Sequence, residues 1–124
     1  MTNEQLALLL DPRREKPGWW DWHGQHYGSK RVKIALYTGP DYHASDDACF
    51  RDWRPVLLEA GCKIKDSSFH GVEVYLGDAW IGMMDRWTKH TYRAAVLAAI
   101  EELQTTKPEL LREAIARVEG GANG

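Results

Sequence analysis

The sequence is poor in several features that would assign it to a familiar class. Its 124 residues include only two cysteines, Cys49 and Cys62, so a disulfide-stabilised secreted domain is not expected. No apolar run approaches the length of a membrane span, and residues 6–10 are too few and lack the basic start of a secretory signal. We therefore expect a cytoplasmic protein with reduced thiols.

Neither sign of charge dominates the chain. Sixteen lysines and arginines stand against 18 acidic residues, a formal net charge of -2, which gives no general attraction to DNA or to an anionic membrane. Binding of a nucleic acid or a nucleotide would therefore need a local basic patch. The chain also has no Gly-rich phosphate loop, nucleophile elbow or zinc-hydrolase motif, so we expect a protein without catalytic activity and without a cofactor.

Tryptophan is concentrated in one segment. Three of the six tryptophans, Trp19, Trp20 and Trp22, fall within four positions. Pro17-Gly18 precedes them, and Gly24 and Gly28 interrupt the residues that follow, so we predict an ordered loop outside any helix or strand. Its indoles either fill the core of the domain or present a stacking surface, and core filling is the commoner use of aromatic residues in a small domain.

Hydrophobic periodicity predicts helices and strands in the order α-β-α-β-β-β-α-α. Thr2 is expected to cap the first helix, Ser45 the second, and the capping-box sequence from Thr106 to Glu109 the last, while Pro55 should kink or break the second helix. The predicted helices run from Thr2 to about Leu10, from Ser45 to Gly61, over residues 91–103 and from Thr106 to about Val118, before a frayed end from Gly120; the predicted strands are 31–38, 62–65, 72–76 and 79–83.

This order of elements predicts an α+β fold in which a small, mainly antiparallel sheet is packed by helices, an alpha-beta-alpha sandwich. The length suits a single domain over residues 1–124. In the first predicted strand Val32, Ile34 and Leu36 alternate with more polar residues, as in a half-buried strand.

Residues 37–103 resemble the small phage and prophage proteins that have an alpha-beta-alpha sandwich domain. The resemblance lies in the Ser45-Asp46-Asp47 helix start, in the short meander with Gly77-Asp78 and Trp80, and in the Ala-rich helix over residues 91–99. The first 30 residues, with a helix and the tryptophan segment, and an extra helix over 106–119 depart from that pattern. The resemblance implies an accessory protein of a phage or prophage that acts on host defence by binding, and it brings no catalytic residues with it.

Three catalytic or metal-binding interpretations are weaker than their structural alternatives. His23-x-x-His26, with His43, His70 and the two cysteines, suggests zinc, but a structural site needs four converging ligands and exposed or hydrogen-bonded histidines are the simpler reading. Asp41, Asp46 and Asp47 could form a carboxylate cluster, and Cys49 with His43 a nucleophile and its base. Acidic residues at a helix start are explained as caps, and Cys49 lies on the apolar side of its predicted helix.

Basic and aromatic residues alternate in two places. Lys30, Arg31 and Lys33 follow the tryptophan segment, and Arg51 and Arg54 lie on the predicted second helix. The second place extends from Arg86 to Arg93 and also contains Trp87, Lys89 and His90. Such groups can stack a base and hold a phosphate, or they can grip a protein, or they are solvated charges around a buried tryptophan. The candidate contact residues are Trp19, Trp20, Trp22, Arg31, Arg86, Trp87 and Arg93.

The sequence thus predicts an oligomeric, cytoplasmic binding protein of phage or prophage origin that counters a bacterial defence system. Sequestration of a nucleotide-type signal would need a closed basic and aromatic pocket. Inhibition of a defence protein, as by anti-CRISPR proteins, would need an open patch. A small hydrolase of nucleotide signals is the third alternative.

Overall fold

The computed structural model describes residues 1–82 and 89–122 of the chain. The chain forms two compact units, Met1–Pro40 and Asp41–Gly124. The described residues form five helices and two small antiparallel sheets, one of two strands and one of three, which confirms the α+β class. The expectation that all strands share one sheet is wrong. Within the described ranges, no helix is both long enough and apolar enough to cross a membrane.

The first unit begins with helix α1, Asn3–Leu10. Its start is the predicted cap, because the Gln5 backbone N–H donates to the Thr2 hydroxyl at 3.1 Å and the Thr2 N–H donates to the Gln5 side chain at 2.8 Å. The helix ends at Asp11, directly before Pro12, as predicted. Its apolar side is buried through Leu6, Ala7 and Leu10.

The tryptophan segment is a strand, so the prediction of a loop is wrong. Strand β1, Trp20–Tyr27, pairs antiparallel with β2, Lys30–Tyr37, along its whole length. The ladder continues one step further, because the Thr38 N–H donates to the Trp19 carbonyl at 2.9 Å. Tryptophan and tyrosine favour strands, and this preference outweighs the destabilising effect of Gly24 in the strand interior.

The second unit begins with two short helices, α2 (Asp46–Asp52) and α3 (Arg54–Glu59). Ser45 caps α2 as predicted, accepting the Ala48 N–H at 3.1 Å. Pro55 lies in the first turn of α3, and the predicted helix is broken at Trp53, since proline has no backbone N–H to donate to a carbonyl of the preceding turn. Trp53 is fully buried and packs edge-on against Tyr42, with ring centroids 6.1 Å apart.

The three-stranded sheet is the predicted meander, with strand order β3 (Cys62–Ser67), β4 (Gly71–Leu76) and β5 (Ala79–Ile81). Gly77 has a φ of 61°, which the tight turn between β4 and β5 requires. The predicted third strand extended to Met83, which lies outside the described residues.

Helices α4 (Tyr92–Thr106) and α5 (Pro108–Ala122) complete the unit. Thr91 caps α4 by accepting the Ala94 N–H at 3.2 Å. The apolar residues Val96, Ile100 and Leu103 of α4 are buried, while Tyr92 is half-buried. The cap predicted at Thr106 for the last helix is wrong, because Thr106 ends α4 and its hydroxyl donates to the Glu102 carbonyl at 2.8 Å. Helix α5 continues past Gly120, where the sequence predicts fraying, and buries Leu111, Ala114 and Ile115.

Candidate functional site

The β1–β2 hairpin carries most of the predicted contact residues that the structure describes. Its strands are joined by the two-residue turn Gly28-Ser29, in which Gly28 has a φ of 64°. A two-residue link of the Gly-Ser type between β-prone runs is a hairpin signal, and it could have revealed this element from the sequence. From Asp21 to Lys33 every residue is exposed, so the hairpin projects its two faces into solvent.

One face of the hairpin combines an indole with positive charge. Residues paired across an antiparallel ladder share a face, and the register pairs Trp22 with Ala35, Gly24 with Lys33 and His26 with Arg31. We call these six residues the cationic face. The Trp22 side chain is 49% exposed. A Cβ on Gly24 would lie 3.4 Å from Arg31 Nε, so the guanidinium lies over the bare backbone of Gly24.

The opposite face is apolar along β2. It consists of the pairs Asp21 with Leu36, His23 with Ile34, Gln25 with Val32, and Tyr27 with Lys30, and we call these eight residues the aliphatic face. The prediction of a strand over residues 31–38 is confirmed. Its apolar row is more exposed than predicted, since Val32 is 41% and Leu36 52% exposed. At one end, His23 Nε2 lies 2.9 Å from the Asp21 carboxylate.

Trp20 is a core residue of the first unit. Its ring is buried and meets Tyr37 edge-on, with centroids 5.3 Å apart. Its indole N–H donates to Asp11 Oδ2 at 2.7 Å, and the same carboxylate accepts the backbone N–H groups of Glu15 and Lys16, both at 2.9 Å. Asp11 is itself buried and fixes the turn between α1 and β1. Sequence reasoning missed this residue, because its partners lie four to nine positions away in no periodic pattern.

Asp11 makes the stability of the first unit depend on pH. Burial disfavours its charged form, but the hydrogen bonds from Lys16, Glu15 and Trp20 and the charge of Lys16 outweigh burial and lower the pKa of the carboxyl below its ordinary value. A lowered folded-state pKa stabilises the fold above the unfolded pKa, and this stabilisation is lost as the pH falls through the folded value. We expect the free energy of unfolding to decrease as the pH falls below about 4, and to decrease less in Asp11→Asn. Urea titrations of both proteins over that pH range test this, and parallel pH profiles would contradict it.

The other two tryptophans of the segment differ from Trp20. Trp19 is half-buried, and the Lys16 ammonium lies 4.6 Å from its ring centroid. Trp22 is the most exposed of the three and lies on the cationic face. Of the two roles that the sequence suggests for these indoles, Trp20 therefore fills the core, whereas Trp22 lies on the surface.

Arg93 lies in the second unit, where it connects two helices. Its guanidinium bonds Asp46 Oδ1 at 3.2 Å and the His43 carbonyl at 3.0 Å, and its backbone N–H donates to the same Asp46 oxygen at 3.0 Å. An open groove of about 400 Å³ runs beside it, between His43 and Glu101. Arg93 thus holds the start of α4 to the start of α2. The other two predicted contact residues of this region, Arg86 and Trp87, lie outside the described residues.

Three other basic residues of this unit, Arg51, Arg54 and His90, make local contacts. Arg51 bonds the Asp52 carboxylate at 2.8 and 2.9 Å. The Arg54 guanidinium lies 4.9 Å from the centroid of the Phe50 ring. The His90 backbone pairs with β4, accepting the Val72 N–H at 3.0 Å. These contacts are sufficient to explain the positions of the two arginine side chains and of the His90 backbone without a ligand.

The structure argues against Cys49 as a nucleophile. Burial, with the nearby charges of Asp46 and Asp52, raises the pKa of its thiol to about 12, and its Sγ donates to the Tyr42 carbonyl at 3.3 Å. Burial likewise raises the pKa of Cys62 to about 11. Both cysteines are free thiols, as expected, and both are protonated near neutral pH.

The histidine pair of the hairpin is not arranged as a chelate. Because side chains alternate along a strand, His23 lies on the aliphatic face and His26 on the cationic face. Within the described ranges, no three His, Cys, Asp or Glu side chains lie together as metal ligands would. His23 is instead hydrogen-bonded to Asp21.

Comparison of the chain with known protein families, curated proteins and solved structures finds no match. The candidate site therefore rests on its own geometry. It consists of the cationic face of the hairpin, with Trp22 at one end and the Arg31 pair at the other.

Proposed function

We propose that this chain is a binding protein without catalytic activity, and that the cationic face of its β1–β2 hairpin binds a nucleotide-type ligand. The observation that carries the proposal is that the exposed Trp22 ring shares one face with Arg31, Lys33 and His26, and that this face contains no acidic residue. The resemblance of residues 37–103 to phage and prophage proteins supports a role against a bacterial defence system, with a nucleotide signal or a nucleic acid as the ligand.

The chemistry of the face suits such a ligand. An indole offers its ring to a base, and each base stacked on an aromatic ring contributes about 1 to 3 kcal/mol. Arg31 presents a planar set of N–H donors that match phosphate oxygens, and Lys33 adds a second positive charge opposite Gly24. The absence of a side chain at Gly24 lets the Arg31 guanidinium lie over the backbone between Trp22 and His26.

The face is an open patch and not the closed pocket expected for sequestering a nucleotide signal, so the nucleotide proposal rests on the chemistry of the face, and its shape favours a second candidate, the inhibitor of a defence protein. The hairpin exposes both faces, and one of them has an apolar row with Val32 and Leu36 in solvent. Trp and Arg are the residue types most enriched where protein partners bind tightly. The two candidates predict different ligands for the same hairpin, so one set of variants tests both.

The first test separates binding from stability. Trp22→Ala and Arg31→Ala should fold with a free energy of unfolding within about 0.5 kcal/mol of the parent, as is usual for exposed positions. Binding of a nucleotide ligand should weaken by roughly tenfold to a hundredfold, the loss of one stacked base or one charge-assisted contact. Trp22→Tyr retains a ring and should retain most of the affinity. Calorimetric titration with cyclic dinucleotides and with a single-stranded oligonucleotide measures this.

The matched control is Phe69→Ala, which removes an aromatic ring that is 71% exposed in the second unit. Unchanged binding in the control and weakened binding in the hairpin variants support the proposal. If no nucleotide binds, but a protein captured from bacterial lysate is lost with Trp22→Ala and kept with Phe69→Ala, the second candidate replaces it. If the hairpin variants bind like the parent, the site lies elsewhere.

Recovery of the ligand distinguishes binding from hydrolysis. After incubation with a bound nucleotide and heat denaturation, a binding protein releases the ligand intact. Release of a cleaved product would contradict the proposal and favour the hydrolase alternative.

A further inference from the structure

The aliphatic face of the hairpin is an uncovered sheet face. Val32 and Leu36 are exposed, Ile34 lies half-buried between them, and Tyr27 is 62% exposed at the turn end. A two-stranded hairpin is at best marginally stable in water unless an apolar face is covered by another layer. A covering surface as long as this row of aliphatic side chains would therefore stabilise the hairpin.

Charge on this face is placed at its two ends with opposite sign. Asp21 lies at the end remote from the turn, across from Leu36, and Lys30 lies at the turn, across from Tyr27. Between these ends lie the pairs His23 with Ile34 and Gln25 with Val32, which contain no carboxylate, lysine or arginine. A surface with an acid at one end and a base at the other is complementary to itself when it is turned end for end.

Two arrangements of a face-to-face pair can be compared. A two-fold axis along the strands would bring Asp21 near the Asp21 of the second copy and Lys30 near its counterpart. A two-fold axis across the strands places β2 antiparallel over the β2 of the second copy, with Ile34 over Val32. It also brings each Asp21 to the corner occupied by Lys30 and Tyr27 of the other chain. The second arrangement pairs opposite charges twice, as an isologous interface requires.

We propose that two copies of this chain associate through the aliphatic faces of their β1–β2 hairpins, with the strands turned end for end. The covering surface is then a second copy, which supplies an apolar row of equal length and the opposite charge at each end. The cationic faces point away from this interface on both sides. The association is therefore compatible with the proposed function but does not depend on it.

The dimensions of the face indicate how tightly the copies associate. Eight residues at about 3.4 Å each give a length of roughly 27 Å, and two strands give a width of roughly 10 Å. This area is below the roughly 800 Å² per partner of a standard stable interface. We therefore expect a reversible equilibrium between monomer and dimer that shifts with protein concentration.

The test uses charge reversal in the full chain, followed by sedimentation velocity over a wide concentration range. Asp21→Lys puts like charges together at both ends of the dimer, and so does Lys30→Asp, so each variant alone should associate about tenfold more weakly than the parent. An equimolar mixture of the two variants restores opposite charges at both corners of a mixed dimer. The mixture should associate about as strongly as the parent.

Two further variants control for charge and for folding. Lys33→Glu makes the same change in net charge as Lys30→Asp but lies on the cationic face, and it should leave association unchanged. Leu36→Ser removes apolar surface and should weaken association without altering net charge. Circular dichroism confirms that each variant is folded, and recovery in the mixture itself shows that both single variants are.

A parent chain that stays monomeric at every concentration would overturn the proposal and leave the aliphatic face to a different protein. A dimer unaffected by Asp21→Lys, Lys30→Asp and Leu36→Ser would overturn it as well, since another surface would then hold the copies together. Both readouts are independent of any nucleotide, so this proposal and the proposed function can fail separately.

Discussion

Val96→Asp is expected to unfold the second unit, at a cost of about 4 kcal/mol or more. Val96 is completely buried on α4, beside Ala95, Ala99 and Ile100, which are also buried. A carboxylate at this position would lose its hydration without gaining an opposite charge, and a single domain has only about 5 to 15 kcal/mol of stability in total. Urea denaturation followed by circular dichroism measures the loss.

The control for this substitution is Gln104→Asp, which introduces the same side chain on an exposed position of the same helix. Its cost should stay within about 1 kcal/mol, the usual size of an unfavourable charge near a helix C-terminus. Equal melting temperatures for Val96→Asp and the parent would show that this face of α4 is not the core of the unit.

Trp20→Ala is expected to be the most damaging truncation in the first unit, with a loss of about 3 to 5 kcal/mol. The substitution leaves a cavity where the ring contacts Tyr37 and removes one of the three donors to Asp11. Trp20→Phe separates these effects, because it keeps most of the ring and leaves Asp11 with its two backbone donors. It should cost about 1.5 to 3 kcal/mol, the range of one hydrogen bond to a charged group.

Trp22→Ala is the matched control for Trp20→Ala, since it removes the same side chain two positions away on the same face of the hairpin. Its ring is half exposed, and its loss should be several-fold cheaper. Urea denaturation followed by tryptophan fluorescence compares the three variants. Equal destabilisation by the two alanine variants would mean that Trp22 also belongs to the core, which would remove the main support for the cationic face.

Features that depend on neighbours in sequence were predictable. The caps at Thr2 and Ser45 and the break beside Pro55 follow from hydrogen bonds or steric conflicts within a few residues, so residue type and position suffice. The meander from Cys62 to Ile81 was predictable for the same reason, because glycine marks its tight turn and its strands alternate.

The hairpin shows where sequence reasoning was insufficient. Glycines 24 and 28 were weighed as breakers of a regular element, whereas the paired strand tolerates the first and needs the second at its turn. The different environments of Trp20 and Trp22 could not be predicted, because the same alternation places both on one face. What separates them is distance from the end of the hairpin where Asp11 and Tyr37 enclose Trp20, and that is a tertiary property.

The contacts of Arg93 also could not be predicted from local sequence patterns. Its partner Asp46 is 47 positions away, so a basic residue read as a contact for a ligand is engaged within the fold. Acidic residues at the start of α2 were interpreted as caps, and Asp46 does lie in the first turn of that helix. Its second role, as the ion-pair partner of α4, follows only from the packing of the two helices.

The two buried thiols allow local opening of the second unit to be measured in the native chain. Cys49 lies on α2 and Cys62 begins β3, and burial keeps both protonated and out of reach of solvent. An alkylating reagent added to the folded chain can therefore modify each sulfur only during moments when its surroundings open. The rate of modification at each cysteine, measured by mass spectrometry, reports how often that part of the second unit opens. No cysteine needs to be engineered into the chain for this measurement.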